Sequence, residues 1–308
     1  HTYLIGRTPS AKILLKAFAE VKPTVILSVP LILEKIYKKM IQPQISKTPV
    51  SWVLKVPLLD QVVLGKIREK LMKAFGGEFS QIIIGGEPLN AEVGAFLRRI
   101  KFPITIGYGM TETAPLISFT PWTEFRSQSC GQVLRGFMEA RISNPDADGV
   151  GEIQLRGENV MMGYYKNEQA TKESFTEDGW LRTGDLGTID EDGFIYIKGR
   201  CKTMLLGPSG QNIYPEEIEA KINNMPYVLE SLVLQKEDAR LVALVCPDFE
   251  AVDADKLTQE QLEVAMEENR KLVNQQLAAY EQVNVFKLYP HEFEKTPKKS
   301  IKRFLYEA

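Results

Sequence analysis

Apolar side chains follow two rhythms along this chain, and the change between them comes near residue 121. Before it, short continuous apolar runs alternate with stretches of helical spacing. After Pro9-Ser10, the residues Ile13, Leu14, Ala17 and Phe18 predict a helix. Val25 to Val29 reads as a continuous apolar strand stopped by Pro30, and Ile32, Leu33, Ile36 and Tyr37 carry the next helix. Residues from about 43 to 60, with Pro43, Pro49 and Pro57, read as irregular. Val63 to Phe75 is helical again and ends at Gly76-Gly77. Ile82 to Ile84 is a strand running into Gly85-Gly86-Glu87-Pro88, Asn90 caps a helix to Arg99, and Ile104 to Ile106 is the next strand. Continuous apolar strands separated by helices predict a parallel sheet covered on both faces. In such sheets ligands bind outside the carboxyl ends of the strands. Ser28-Val29-Pro30, Gly85-Gly86-Glu87 and Gly107 to Thr113 are therefore expected on one rim.

After Pro121 the rhythm shortens to two. Ala140 to Ile142, Gly151 to Arg156, Leu186 to Ile189 and Phe194 to Lys198 alternate as strands, with Glu191-Asp192-Gly193 as a hairpin turn. A third texture starts near Gly199 to Lys202: a strand over Lys202 to Leu206, a loop at Gly207 to Gly210, and a helix over Pro215 to Asn223 with proline at its first position. A hairpin of Leu229 to Gln235 and Arg240 to Cys246 follows. Thr258 and Gln261 then form a capping box before a helix to about Ala279, and Val283 to Tyr289 is the last strand. The fold class expected is α/β: a parallel α/β layer plus a small antiparallel β subdomain, followed by a small α+β C-terminal domain. The boundaries are 1–120, 121–199 and 200–308.

Composition narrows the chemistry. The chain has 308 residues, 44% apolar and 25% charged, with a net charge of −2, so no basic surface for nucleic acid is indicated and membrane contact is at most peripheral. Three cysteines, Cys130, Cys201 and Cys246, indicate neither a disulfide framework nor a zinc site. Two histidines, His1 and His291, leave little for a histidine triad. The longest apolar run, Thr24 to Leu33, contains Pro30 and is too short to span a bilayer. No signal peptide is seen, and a cytoplasmic location is expected. His1-Thr2-Tyr3 opens without methionine, which suggests a cut inside a longer chain.

The stretch Ile106 to Thr113 concentrates functional groups. Gly107 and Gly109 permit close approach of a ligand. Tyr108 offers a flat face, Thr111 a neutral donor, and Glu112 a hard oxygen suited to Mg²⁺. These parts suit a nucleotide phosphate and its metal; a polar loop with a capping Thr-Glu pair is the alternative. Asp185, after Gly184, has the chemistry to accept bonds from ribose hydroxyls, or is a plain turn aspartate. The basic tail, Lys295 to Arg303, reads as a solvated terminus.

Taken together, these stretches resemble the adenylate-forming superfamily of acyl-CoA synthetases, nonribosomal-peptide adenylation domains and luciferases. They are most similar to the AMP-forming long-chain fatty acid–CoA ligases of bacteria. The motifs that carry the resemblance are Gly85 to Leu89, Tyr108 to Thr113, Gly151-Glu152 with Gly163-Tyr164-Tyr165, Trp180 to Asp185, Gly199 to Lys202, and Gly210 to Glu219. The resemblance implies that Gly85, Gly86, Glu87 and Pro88 line an adenine pocket with Tyr108 on the base and Gly109 beside it. It gives Thr111 the α-phosphate, Glu112 the Mg²⁺, Asp185 the ribose, and Arg200 the ribose or phosphate. Lys202 becomes a hinge, and Gly210, Gln211 and Asn212 open the loop that serves the CoA step. The implied substrates are a fatty acid, ATP (released as AMP) and coenzyme A. The implied layout is a large adenylation domain, truncated at its N-terminus, ahead of a mobile C-terminal domain.

Two departures qualify it. No Gly/Ser/Thr-rich phosphate loop with its lysine occurs, so the missing N-terminal part of the same chain is expected as a partner, and the fragment alone is expected to be inactive. The family's tail lysine aligns with Ser300; Lys298 and Lys299 lie beside it, and Lys299 is the substitute assigned here. A ligase for an aryl or short-chain acid, or a non-catalytic nucleotide-binding homologue, remains as the alternative.

Overall fold

The structure, a computed structural model, describes residues 11–45, 59–296 and 300–307. Pro9, Ser10, Pro49 and Pro57 lie outside them. The chain divides into two compact units: residues 1–141, 154–182 and 189–196 form unit 1, and residues 142–153, 183–188 and 197–308 form unit 2.

In unit 1, helix α1 (Ala11–Val21) leads to strand β1 (Val25–Ser28). Helix α2 (Pro30–Ile36) continues through a wider π turn, Tyr37–Ile41, into α3 (Gln42–Ile45). Pro43 is thus helical rather than part of an irregular stretch. The wider turn opens the helix just ahead of a residue that lacks an N–H and needs room for its ring. Helix α4 (Leu59–Ala74) precedes β2 (Gln81–Ile84), and α5 (Ala91–Arg99) precedes β3 (Ile104–Ile106). The side chain of Asn90 caps α5, accepting from the N–H groups of Glu92 and Val93.

The three strands form the expected parallel layer in the order β1-β2-β3, with Ile26 beside Ile82 and Ile82 beside Ile104. Those isoleucines, with Ile84, Phe75, Phe79 and Phe102, make one buried core. The opposite face of β1 is open: Leu27 is 78% and Val25 46% exposed.

Three short strands that the rhythm of the sequence did not reveal follow directly. They are β4 (Tyr108–Gly109), β5 (Leu116–Phe119) and β6 (Gln132–Val133), paired antiparallel. At two residues each, β4 and β6 are too short to show alternation. Further on, β7 (Met138–Ser143), β8 (Gly151–Gly157), β9 (Leu181–Ile189) and β10 (Ile195–Arg200) form a four-stranded sheet in the order β10-β9-β8-β7. The expected turn at 191–193 is present, with Gly193 N–H donating to Asp190 O at 2.9 Å. Strand β9 begins five residues earlier than its alternation indicated, so Asp185 belongs to a strand. A helix, α6 (Glu168–Ser174), capped by Asn167, was also not anticipated.

Unit 2 contains the short hairpin of β11 (Leu205–Leu206) and β12 (Asn212–Ile213), then α7 (Pro215–Ile222). Residues 202–204 do not extend β11 as expected. They belong to a turn in which the N–H groups of Thr203 and Met204 both donate to Arg200 O. Strands β13 (Val228–Gln235) and β14 (Leu241–Pro247) pair antiparallel, and β15 (Val283–Leu288) joins β14 in parallel. Helix α8 (Phe249–Ala254) is short, and α9 (Gln259–Asn274) starts at the Thr258/Gln261 capping box. It ends before Ala279 because the Asn274 side chain binds the Val283 backbone, donating to its O and accepting from its N–H at 2.9 Å each. Ile218, Ile222, Val233, Ala243, Val245, Val273 and Val283 fill the core between helices and sheet.

Candidate active site

Unit 1 brings the starts of the three expected rim loops together. Gly85 N–H donates to Ser28 O at 3.2 Å and Gly107 N–H to Ile84 O at 2.8 Å, so the chain leaves β2 and β3 side by side. A Cβ on Gly85 would stand 3.2 Å from Gly107 O. The loop after β2 has a support that the sequence did not show: a Glu34 carboxylate oxygen on α2 accepts the Asn90 N–H at 2.9 Å. Burial pushes the Glu34 carboxyl up, partly offset by that hydrogen bond. Glu34→Ala removes the acceptor of this half-buried N–H and is expected to lower stability by about 1–3 kcal/mol, while Glu34→Gln keeps an acceptor and most of that stability. Urea unfolding of both variants checks this; equal losses would deny the tie.

Tyr108, on β4, is buried, and Gly109 beside it admits no other residue. A Cβ there would fall 1.9 Å from Pro115 O. Thr111 to Thr113 form one turn of 3₁₀ helix. Thr111 is exposed. Thr113 is buried, and its hydroxyl makes bonds to Met110 O (2.9 Å) and Pro115 O (2.8 Å). Thr113 rather than Glu112 therefore does the capping. The Glu112 carboxylate instead accepts the Tyr164 phenol at 2.7 Å, and its backbone O accepts Met161 N–H at 2.8 Å. Asn159 fastens the same turn, its amide donating to Thr113 O and Leu116 O at 2.7 and 2.8 Å.

Unit 2 brings Asp185 and Arg200 together. Asp185 is 6% exposed; its carboxylate accepts Arg200 Nε at 2.8 Å, and its N–H donates to the Thr183 hydroxyl at 3.0 Å. A neighbouring carboxylate, Glu152, accepts Gly184 N–H at 3.3 Å. Lys202 is exposed in the turn after β10. Gly210 closes the tip of the β11–β12 hairpin, its N–H bonded to Gly207 O at 2.9 Å. Gln211 accepts Ser209 N–H at 3.3 Å and Asn212 donates to Asp146 at 3.0 Å, so both side chains help shape that loop. Burial pushes the neighbouring Tyr214 phenol up to about 12.

In the tail, Lys298 and Lys299 lie outside the described residues. Ser300 is exposed, and its O accepts Thr296 N–H at 2.8 Å, next to an antiparallel bridge between Lys295 and Ile301. Lys302 pairs with Glu294 at 3.2 Å, and Arg303 turns inward to Glu219 of α7.

Unit 1 thus carries glycine loops and a carboxylate near the strand ends of a parallel layer, unit 2 carries a buried aspartate paired with an exposed arginine, and the fold is of the α/β class. The profile of the AMP-binding enzyme family matches residues 2–165, and the chain belongs to that family. It is 30% identical to the long-chain-fatty-acid–CoA ligase FadD15 of Mycobacterium bovis over 342 residues, which take in 97% of this chain and 55% of that protein. It is 31% identical to the long-chain-fatty-acid–CoA ligase ACSBG2 of Gallus gallus, over 75% of this chain and 33% of that one. Among solved structures, an ATP-bound RpMatB-BxBclM chimera superposes with a TM-score of 0.71 at 25% identity, covering 96% of this chain and 52% of its own. The chain spans about half the length of FadD15. Among the described residues, no helix is long and apolar enough to cross a membrane.

Proposed function

We propose that this chain forms part of an AMP-forming acid–CoA ligase that activates a long-chain fatty acid with ATP and passes the acyl group to coenzyme A. The observation that carries the reading is the joined pair of strand-end loops, Gly85 to Pro88 and Gly107 to Thr113, in a chain of this family. The adenine lies along the first loop and against Tyr108, with Gly109 allowing the approach. The Thr111 hydroxyl meets the α-phosphate, and the Asp185 carboxylate takes the ribose hydroxyls, Arg200 beside it.

Among the described residues, no three His, Cys, Asp or Glu side chains gather into a metal cage. A single carboxylate fits Mg²⁺ nonetheless, because that ion keeps several waters and takes substrate phosphates as ligands. Glu112 would hold it, and when bound it neutralises charge that builds on the phosphoryl oxygens. In the first step the fatty carboxylate attacks the α-phosphorus, with pyrophosphate leaving. In the second the CoA thiol displaces AMP while Gly210 to Asn212 line its approach. Lys299 is our assignment for the tail cation, with Lys202 as the hinge. The exposed Val25–Leu27 face of β1 suits further polypeptide of the adenylation domain.

Ser300 favours a second reading, a nucleotide-binding homologue without turnover, since a hydroxyl carries no charge for the developing phosphate. The test is ATP–pyrophosphate exchange by the full polypeptide carrying this sequence, across a panel of acids. Long-chain acids are expected to support the fastest exchange. Exchange with only aryl or short acids would replace the substrate assignment, and none with any acid would leave the second reading.

A further inference from the structure

The Gly163-Tyr164 pair stands outside every role described so far, yet it touches the carboxylate to which the metal is assigned. We infer that Tyr164 is a positioning residue for Glu112, its phenol holding the carboxylate in the orientation that receives the divalent cation of a nucleotide complex. The inference rests on the metal assignment made above and goes beyond it.

Three observations support it. The hydrogen bond from the Tyr164 hydroxyl to Glu112 Oε1 is 2.7 Å and is made across 52 positions of sequence. The backbone at Glu112 is clamped by the same incoming segment, through Met161 N–H to Glu112 O and the Asn159 amide to Thr113 O. Tyr164 is itself held: its N–H donates to the Thr171 hydroxyl at 2.9 Å, and a Cβ on Gly163 would fall 2.7 Å from Thr171 Cγ2. Helix α6 thus sets where the ring stands, and Gly163 is what lets the segment come that close.

The chemistry suits the task. A neutral phenol donates one hydrogen bond without cancelling the carboxylate charge, and here it goes to Oε1. A carboxylate with one oxygen tied is restricted in rotation and keeps lone pairs for a cation. Partners of this kind orient metal-ligating groups, and losing one typically weakens metal binding about 10–100-fold. The adjacent Tyr165 is 88% exposed and serves as the control.

The test is Mn²⁺ affinity, read by electron paramagnetic resonance of free Mn²⁺ in the presence of a non-hydrolysable ATP analogue, on the full polypeptide carrying this sequence. Tyr164→Phe is expected to weaken Mn²⁺ binding about tenfold, Glu112→Gln to weaken it further, and Tyr165→Phe to leave it unchanged. Adding Tyr164→Phe to Glu112→Gln is expected to change nothing more, because the phenol acts through the carboxylate. That comparison also separates positioning from a general loss of fold, which would weaken both backgrounds. Wild-type affinity in Tyr164→Phe, with Glu112→Gln impaired, overturns the inference alone. Wild-type affinity in Glu112→Gln overturns the metal assignment itself.

Discussion

Arg303→Ala is expected to lower the unfolding free energy of unit 2 by about 3–5 kcal/mol, the usual result of removing one partner from a buried ion pair. Glu219 sits on α7 with 8% of its surface exposed, and its Oε1 takes the Val233 N–H at 2.6 Å. The Arg303 guanidinium reaches both carboxylate oxygens through Nη2 and donates to Val233 O from Nη1 at 3.2 Å. One side chain near the end of the chain therefore ties the tail to a helix and a strand. Burial pushes the Glu219 carboxyl up, to about 7, against the pull of Arg303. Without the arginine it moves higher still.

The sign follows. A carboxyl raised in the folded state keeps its full contribution below the unfolded value near 4.5, and loses it as pH rises through the folded value. The deficit of Arg303→Ala should therefore be smaller at pH 5, where the lone carboxyl holds a proton, than at pH 8. Adding Glu219→Gln should recover part of it, since the uncompensated charge is gone. Urea unfolding at both pH values is the measurement. A deficit below about 1 kcal/mol, typical of surface pairs, or one that ignores pH, would mean that the pair does not hold the tail.

Glu112→Gln in the full polypeptide is expected to slow ATP–pyrophosphate exchange by on the order of 100-fold, comparable to losing one preorganised group at a developing charge. The substitution is informative because the amide oxygen still accepts the Tyr164 hydroxyl. It removes charge and leaves the shape of the turn. Saturating Mg²⁺ should not restore the rate fully, whereas Glu112→Asp, which keeps the charge but retracts it, should fall between the two. Unchanged exchange in Glu112→Gln would remove the carboxylate from the metal role.

Much of the layout could be read in advance where the signal is local. Ile82 to Ile84 and Ile104 to Ile106 are short isoleucine-rich runs that end at glycine, and the capping residues Asn90 and Thr258 announce the helices they start. The parallel layer and the two loops at its strand ends followed from that. What escaped were partnerships between distant positions. Nothing in the local pattern marks Glu34 out from any other helical glutamate, because its partner Asn90 is 56 residues away. The Tyr164 phenol and Glu112 are separated almost as widely. Asp185 looked like a turn residue because Gly184 precedes it, yet Gly184 lies within a nine-residue strand. Lys202 to Leu206 looked like a strand from composition, and the carbonyl of Arg200 draws those residues into a turn instead.

The open face of β1 has a practical side. Among the described residues β1 is the edge strand of its sheet, and an edge strand that also bears an exposed apolar side chain, Leu27 at 78%, is a template onto which another chain can add a strand. Prepared at high concentration, this polypeptide should be handled as one prone to stick to itself, and a lysine at position 27 is the first change to try for keeping it in solution.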